Sequence, residues 1–203
     1  MRRFLALCLA ALVATGFAGC ASTPPATRDN VCAIFEEKRG WYDDAKTARA
    51  RWGIPISVMM AIMHQESRFE ATAKPPRNWI FGVIPGPRPS NAYGYSQALE
   101  GTWQHYQRSS GNYGADRDDF TDAIDFIGWY SDQTHRINGV AIDDTYRLYL
   151  AYHEGHGGFK RATYKNKGWL IDVAKKVDRR AKTFSNQLYG CQTKLESRGW
   201  FDW

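Results

Sequence analysis

Residues 54–69 read IPISVMMAIMHQESRF, and their periodicity predicts a helix. Gly53 clears the end of a preceding helix. Pro55 suits a first helical turn, where its missing N–H would be unpaired anyway. At ~100° per residue, Ile56, Met59, Met60 and Met63 fall on one side of the wheel, and Ile62 extends that side. His64, Gln65 and Arg68 fall together on the other. Glu66 projects between Ile62 and Met59, on the apolar side and in the last turn. Burial strips water from a carboxylate, and a helix C-terminus carries partial negative charge, so both effects raise its pKa. Glu66 is therefore a candidate proton donor near neutral pH. Pairing with a buried arginine, or capping a neighbouring helix, is the competing reading of the same position.

Ahead of this helix the chain begins with Arg2 and Arg3, an apolar run from Phe4 to Val13 and mostly small residues from Thr15 to Gly19. That pattern is a secretory signal, too short in its apolar part for a permanent membrane span. It ends in Phe17-Ala18-Gly19-Cys20, which resembles a bacterial lipobox, so Cys20 is expected to be the lipidated first residue after cleavage; an ordinary secreted protein is the alternative. Removing residues 1–19 leaves 184 of the 203 residues, enough for one domain with a sizeable core, and lowers the formal charge from +6 to +4. Export makes nucleic acid an improbable partner, and a moderately basic surface suits an anionic envelope polymer better. With Cys8 in the signal and Cys20 at the lipid site, Cys32 and Cys191 remain. In an oxidising compartment they are expected to form a disulfide joining the ends of the domain, with two free thiols as the alternative.

Residues 20–30, small, polar and proline-containing, read as a tether between lipid and domain, which then occupies residues 31–203. Helical patterning runs from Val31 to Trp52 with a break at Gly40. Residues 74–92 hold five of the eight prolines and predict a long irregular loop of the kind that is functional or disordered. Further helices are expected from Leu99 to Ser109, from the Asp119 cap to Gly139, from Asp143 or Asp144 to His153 with Gly155 as terminator, and from Trp169 to Leu188. No convincing strand pair is apparent. The fold class is mostly α.

Three short motifs stand in order: Glu66-Ser67, Gly94-Tyr95-Ser96-Gln97, and Ala151-Tyr152-His153-Glu154-Gly155. Their order and spacing resemble the soluble lytic transglycosylase catalytic domain, which carries a Glu-Ser pair closing a helix, a Gly-Leu-Met-Gln-type turn and an Ala-Tyr-Asn-x-Gly-type segment. The resemblance covers roughly Trp41 to Leu188. It implies a lysozyme-like single domain acting on peptidoglycan glycan strands, without metal or other cofactor, with Glu66 as sole acid and base. Ser67 would orient the reacting sugar, Gln97 would hydrogen-bond it, and Tyr152 would position Glu66 or the sugar. Tyr95, standing where the family has leucine, and Trp169, standing near the tyrosine that often opens its last helix, complete the expected substrate-binding set. The implied location is the periplasm, with the lipid on Cys20 in a membrane; Ala21 after Cys20 resembles the signal for outer-membrane delivery.

Two other readings compete. A hydrolytic muramidase needs a second carboxylate, for which Glu154 is the candidate, although beside Gly155 it reads more simply as part of a solvated turn. A wall-binding lipoprotein without turnover would need no proton donor at all. His153 and His156 are three residues apart but lack an evident third ligand, so no metal site is expected.

Overall fold

The computed structural model describes residues 22–80 and 83–197; the signal segment and Cys20 lie outside the described residues. The described residues are mostly helical: α1 (Val31–Glu37), α2 (Trp41–Trp52), α3 (Ile56–Ser67), α4 (Glu100–Ser110), α5 (Phe120–Asn138), α6 (Thr145–Lys160) and α7 (Gly168–Ser197). Local chemistry places the ends. Asn30, Asp119 and Asp144 cap α1, α5 and α6 by accepting hydrogen bonds from first-turn N–H groups. Gly53, Gly111 and Gly139 close α2, α4 and α5 in the left-handed conformation.

α3 is the hub. Every residue from Ile56 to His64 is buried, so the helix has no open face along that length. It packs against α7 and α5, and α5 also packs on α2. His64, expected on a polar side, is only 5% exposed, because α7 covers that side with Phe184 and Arg180. Close approach of α5 depends on Gly128: a Cβ there would stand 2.8 Å from the Trp52 ring and 3.2 Å from the Met59 sulfur. At the other end of α2, Trp41 stacks face to face on Phe120 at 3.8 Å.

The sequence shows no strand pair, but the proline-rich loop folds back on itself as a minimal antiparallel ribbon, β1 (Trp79–Ile80) with β2 (Ile84–Pro85). Backbone bonds between Asn78 and Gly86, and Arg77 donating to the Gly86 carbonyl, hold it. Gly155 does not terminate α6. At φ 72° and ψ 157° it kinks the helix, which resumes and runs to Lys160. The segment expected to be a tether also lies against the domain. Pro25 is buried, and the Ala26 N–H donates to Glu37 at 2.9 Å. Among the described residues no helix is long and apolar enough to cross a membrane.

Cys32 in α1 and Cys191 in α7 are disulfide-bonded across 159 residues of chain. In the chain-entropy picture so long a loop stabilises by roughly 5 kcal/mol, with about 2–5 typical when a native bridge is lost. Replacing both cysteines by serine is expected to lower the unfolding free energy by an amount in that range, measured by denaturant titration. The helical content should persist in buffer.

Candidate active site

The last turn of α3 carries Glu66 into a cleft of about 510 Å³ whose walls include Ser90, Gln97, Ala98, Phe126, Tyr130, Tyr152, His153 and Glu154. Glu66 as a residue keeps partial exposure, but its carboxyl is deeply set. Burial pushes the carboxyl up to about 7 from an ordinary 4.5. A hydrogen bond from the Tyr149 hydroxyl pulls part of the way back, and no cation contributes. Tyr149 is itself buried, and burial together with the neighbouring Glu66 raises its own pKa far above the ordinary phenol value, so it stays a donor.

The motif turn reaches the cleft through one tight contact. A Cβ on Gly94 would lie 1.9 Å from the Arg117 carbonyl oxygen, and the residue sits at φ +77°, so only glycine serves. The following Tyr95 N–H donates to that same carbonyl at 3.1 Å. This turns the Tyr95 ring inward, where it is fully buried and edge-on to Trp41 and Phe120. Tyr95 is therefore a core residue and not a substrate contact. Gln97 takes the left-handed conformation at φ 50°, and its amide nitrogen donates to the carbonyls of Ala73 and Gly94, both at 2.9 Å. Two carbonyl partners fix the amide orientation and leave its oxygen as the group that can accept from a ligand.

Tyr152 donates to the Ser96 carbonyl at 2.6 Å and meets Tyr130 edge-on. It thereby ties α6 to the Gly94–Gln97 turn and lies close to Glu66. Ser67 bonds back to the Met63 carbonyl on its own helix at 3.3 Å and does not line the cleft. Trp169, 58% exposed at the start of α7, packs edge-on to His153 without lining the cavity itself. One contributor escaped the sequence reading. Tyr149 stands three residues before Tyr152, on the same helix face, and that spacing was the available signal.

Glu154 reads in the sequence as part of a solvated turn, with a second carboxylate as the alternative. Its side chain is 3% exposed, so it is no solvated turn residue. Burial alone would raise its pKa, but Lys167 at 2.7 Å, Thr163 and His153 all hydrogen-bond to it and bring it down to about 2. His156 stacks on Tyr130 and faces Thr134, away from His153's partner. Among the described residues no three His, Cys, Asp or Glu side chains converge on a point that could hold a metal ion.

Over residues 7–191 the chain matches the family described as the transglycosylase SLT domain. It is a member of that family. A transglycosylase SLT domain has a lysozyme-like fold and acts on peptidoglycan, in agreement with the helical architecture here. No match to a curated protein is found.

The raised carboxyl of this SLT domain makes a prediction with a definite sign. A folded-state pKa above the unfolded value stabilises the fold below about pH 4.5, and that contribution is lost as pH rises to about 7. Glu66→Gln removes the loss. The stability of the variant relative to wild type should therefore grow across this window, by up to about 3 kcal/mol, and level off above it. Thermal unfolding at a series of pH values measures it; a difference that stays flat with pH would mean that the carboxyl is not held neutral.

Proposed function

We propose that the chain is a lytic transglycosylase that cleaves the β-1,4 bond between N-acetylmuramic acid and N-acetylglucosamine without consuming water, using Glu66 alone as acid and then base. The observation that carries this reading is a glutamic acid set in a cleft with no cation beside it, so that burial raises its pKa to about 7, while the only other carboxylate among the lining residues is committed to Lys167 and Thr163.

Protonated Glu66 gives its proton to the glycosidic oxygen, and the bond from that oxygen to C1 of the muramic residue breaks. The carbonyl oxygen of the substrate's own N-acetyl group stabilises the cation developing at C1, which substitutes for a second carboxylate. Glu66, now ionised, takes the proton of the C6 hydroxyl as its oxygen closes on C1 to form a 1,6-anhydro ring. The proton count returns to its start. Tyr149 supports both halves, because a hydrogen bond to Glu66 moderates the shift and keeps the carboxyl able to cycle. Gln97 would accept a hydrogen bond from the sugar through its free amide oxygen. Tyr152, which lines the cleft, belongs to this reading as an orienting contact rather than a proton carrier; Ser67, turned back to the Met63 carbonyl, and Trp169, outside the cavity lining, have no contact role in it.

A hydrolytic muramidase would require Glu154 to activate water. Its Oε1 accepts from Lys167, its Oε2 accepts from Thr163, and a base with a pKa of about 2 has little driving force for taking a proton. A wall-binding protein without turnover has no use for a carboxyl kept neutral at the cost of its desolvation. We further place the protein in the periplasm, attached through a lipid on Cys20 to the outer membrane, as the N-terminal residues indicate.

Glu66→Gln should lower turnover on sacculi by at least 10²-fold, since positioned acid–base groups contribute about 10²–10⁴, while binding to sacculi persists. Mass spectrometry of the wild-type digest should show ends lighter by one water than reducing ends; reducing ends would identify a hydrolase. For wild type, kcat/KM should decline as pH rises through about 7, where Glu66 loses its proton.

A further inference from the structure

On the side of α3 opposite the cleft lies a second cavity, of about 360 Å³, formed by Ala26, Arg28, Asp29, His64, Arg68 and Arg180. Its walls come from three separate parts of the chain: the segment ahead of α1, the C-terminal end of α3, and α7. His64 forms a buried polar floor. Arg180 donates to Asp29 Oδ1 and lies over the Phe184 ring, and His64 Nε2 stands 3.5 Å from the same oxygen. Arg28 directs its Nε to the Pro25 carbonyl. Arg68 makes no side-chain hydrogen bond or ion pair with any described residue, yet its charge, with that of Lys176, bears on His64.

A structural ion pair fastening the N-terminal segment to α7 accounts for Arg180 and Asp29. It does not account for the other cations. Arg28, Arg68 and Arg180 line the cavity with one carboxylate, and burial first, then the charges of Arg180, Arg68 and the more distant Lys176, hold His64 neutral, down to about 4. Concentrated positive charge in a concave surface attracts an anion. Guanidinium forks match the several oxygens of a phosphate, and a neutral imidazole at the floor adds a directional donor. Asp29, with its side chain 78% exposed, already engages Arg180 as the anion of the cluster.

We propose that this cavity binds a phosphate group, in competition with the carboxylate of Asp29. The site is separate from the cleft, and its occupancy does not depend on what Glu66 does. Two sources carry such a group, free phosphate and the headgroup of an anionic lipid.

The test follows thermal unfolding of the full chain against inorganic phosphate, with sodium chloride at matched ionic strength as reference. Phosphate should raise the midpoint saturably, as a ligand of the folded state does. Asp29→Asn, which removes the competing charge but keeps the side-chain shape, should tighten the apparent Kd about fivefold or more, and Arg68→Gln should weaken it about tenfold. A purely structural cluster predicts the reverse for Asp29→Asn, namely lower stability with no gain in phosphate response. Absence of a shift beyond that of chloride, or equal shifts in all three proteins, overturns the proposal. Flotation with phosphatidylglycerol vesicles then separates the sources. Binding lost in Arg68→Gln identifies the lipid headgroup, and flotation equal to wild type identifies free phosphate.

Discussion

A carboxyl group shut away from water with no cation beside it has one comfortable state, the neutral one, and Glu66 is in that position. The rest of the structure serves to keep it there. α3 is buried from Ile56 to His64 between α5 and α7, which anchors the partly exposed last turn that carries Glu66. Tyr149 and Tyr152 on α6 bring phenol groups, not charges, to the carboxyl. The contrast with Glu154 is instructive because both glutamates border one cleft. Lysine, threonine and histidine surround Glu154 and fix it as an anion near the bottom of the titration scale, while Glu66 is moved in the opposite direction. Two like side chains whose surroundings drive their pKa values apart are a common basis for acid–base chemistry in one cleft. Here one of the two is diverted to holding the wall together.

That wall is assembled from distant parts of the chain by few contacts. Tyr152 joins α6 to the Gly94–Gln97 turn, Gly94 presses that turn onto Arg117, and Gln97 braces it against Ala73. Past the Gly155 kink the chain turns back at Thr163–Asn166, so that Lys167 meets Glu154 thirteen positions earlier. Each contact involves a backbone carbonyl or the buried Glu154 carboxylate, whose lysine partner remains partly exposed. Glu66 is thus presented to a preformed cavity.

Much of this was legible in the residues. Helical spacing and the caps at Asp119 and at Asp143 or Asp144 located helices, and the wheel put Glu66 on the apolar side, which gives the direction of its shift. Elimination left Cys32 and Cys191 as the expected pair, and the structure bonds them. Other features lay beyond a one-dimensional reading. Tyr95 occupies a motif position, yet a single carbonyl of Arg117, 22 residues on, turns its ring into the core. His64 reads as polar-face until α7, more than a hundred residues later, covers it. Glu154 looks like a turn residue because its lysine partner arrives only after a kink and a short 3-10 turn. In each case a long-range contact overrode a local pattern.

The central claim concerns the protonation state of one side chain, and it can be observed directly. Carbon-13 labelling of glutamate δ-carbons, with Glu66→Gln used to assign the resonance, allows the carboxyl to be titrated by NMR in the folded protein. The account predicts a midpoint close to 7 for Glu66, well separated from the exposed glutamates. A midpoint near the ordinary 4.5 would contradict it, because a carboxylate already ionised at neutral pH could not be the acid that starts the reaction.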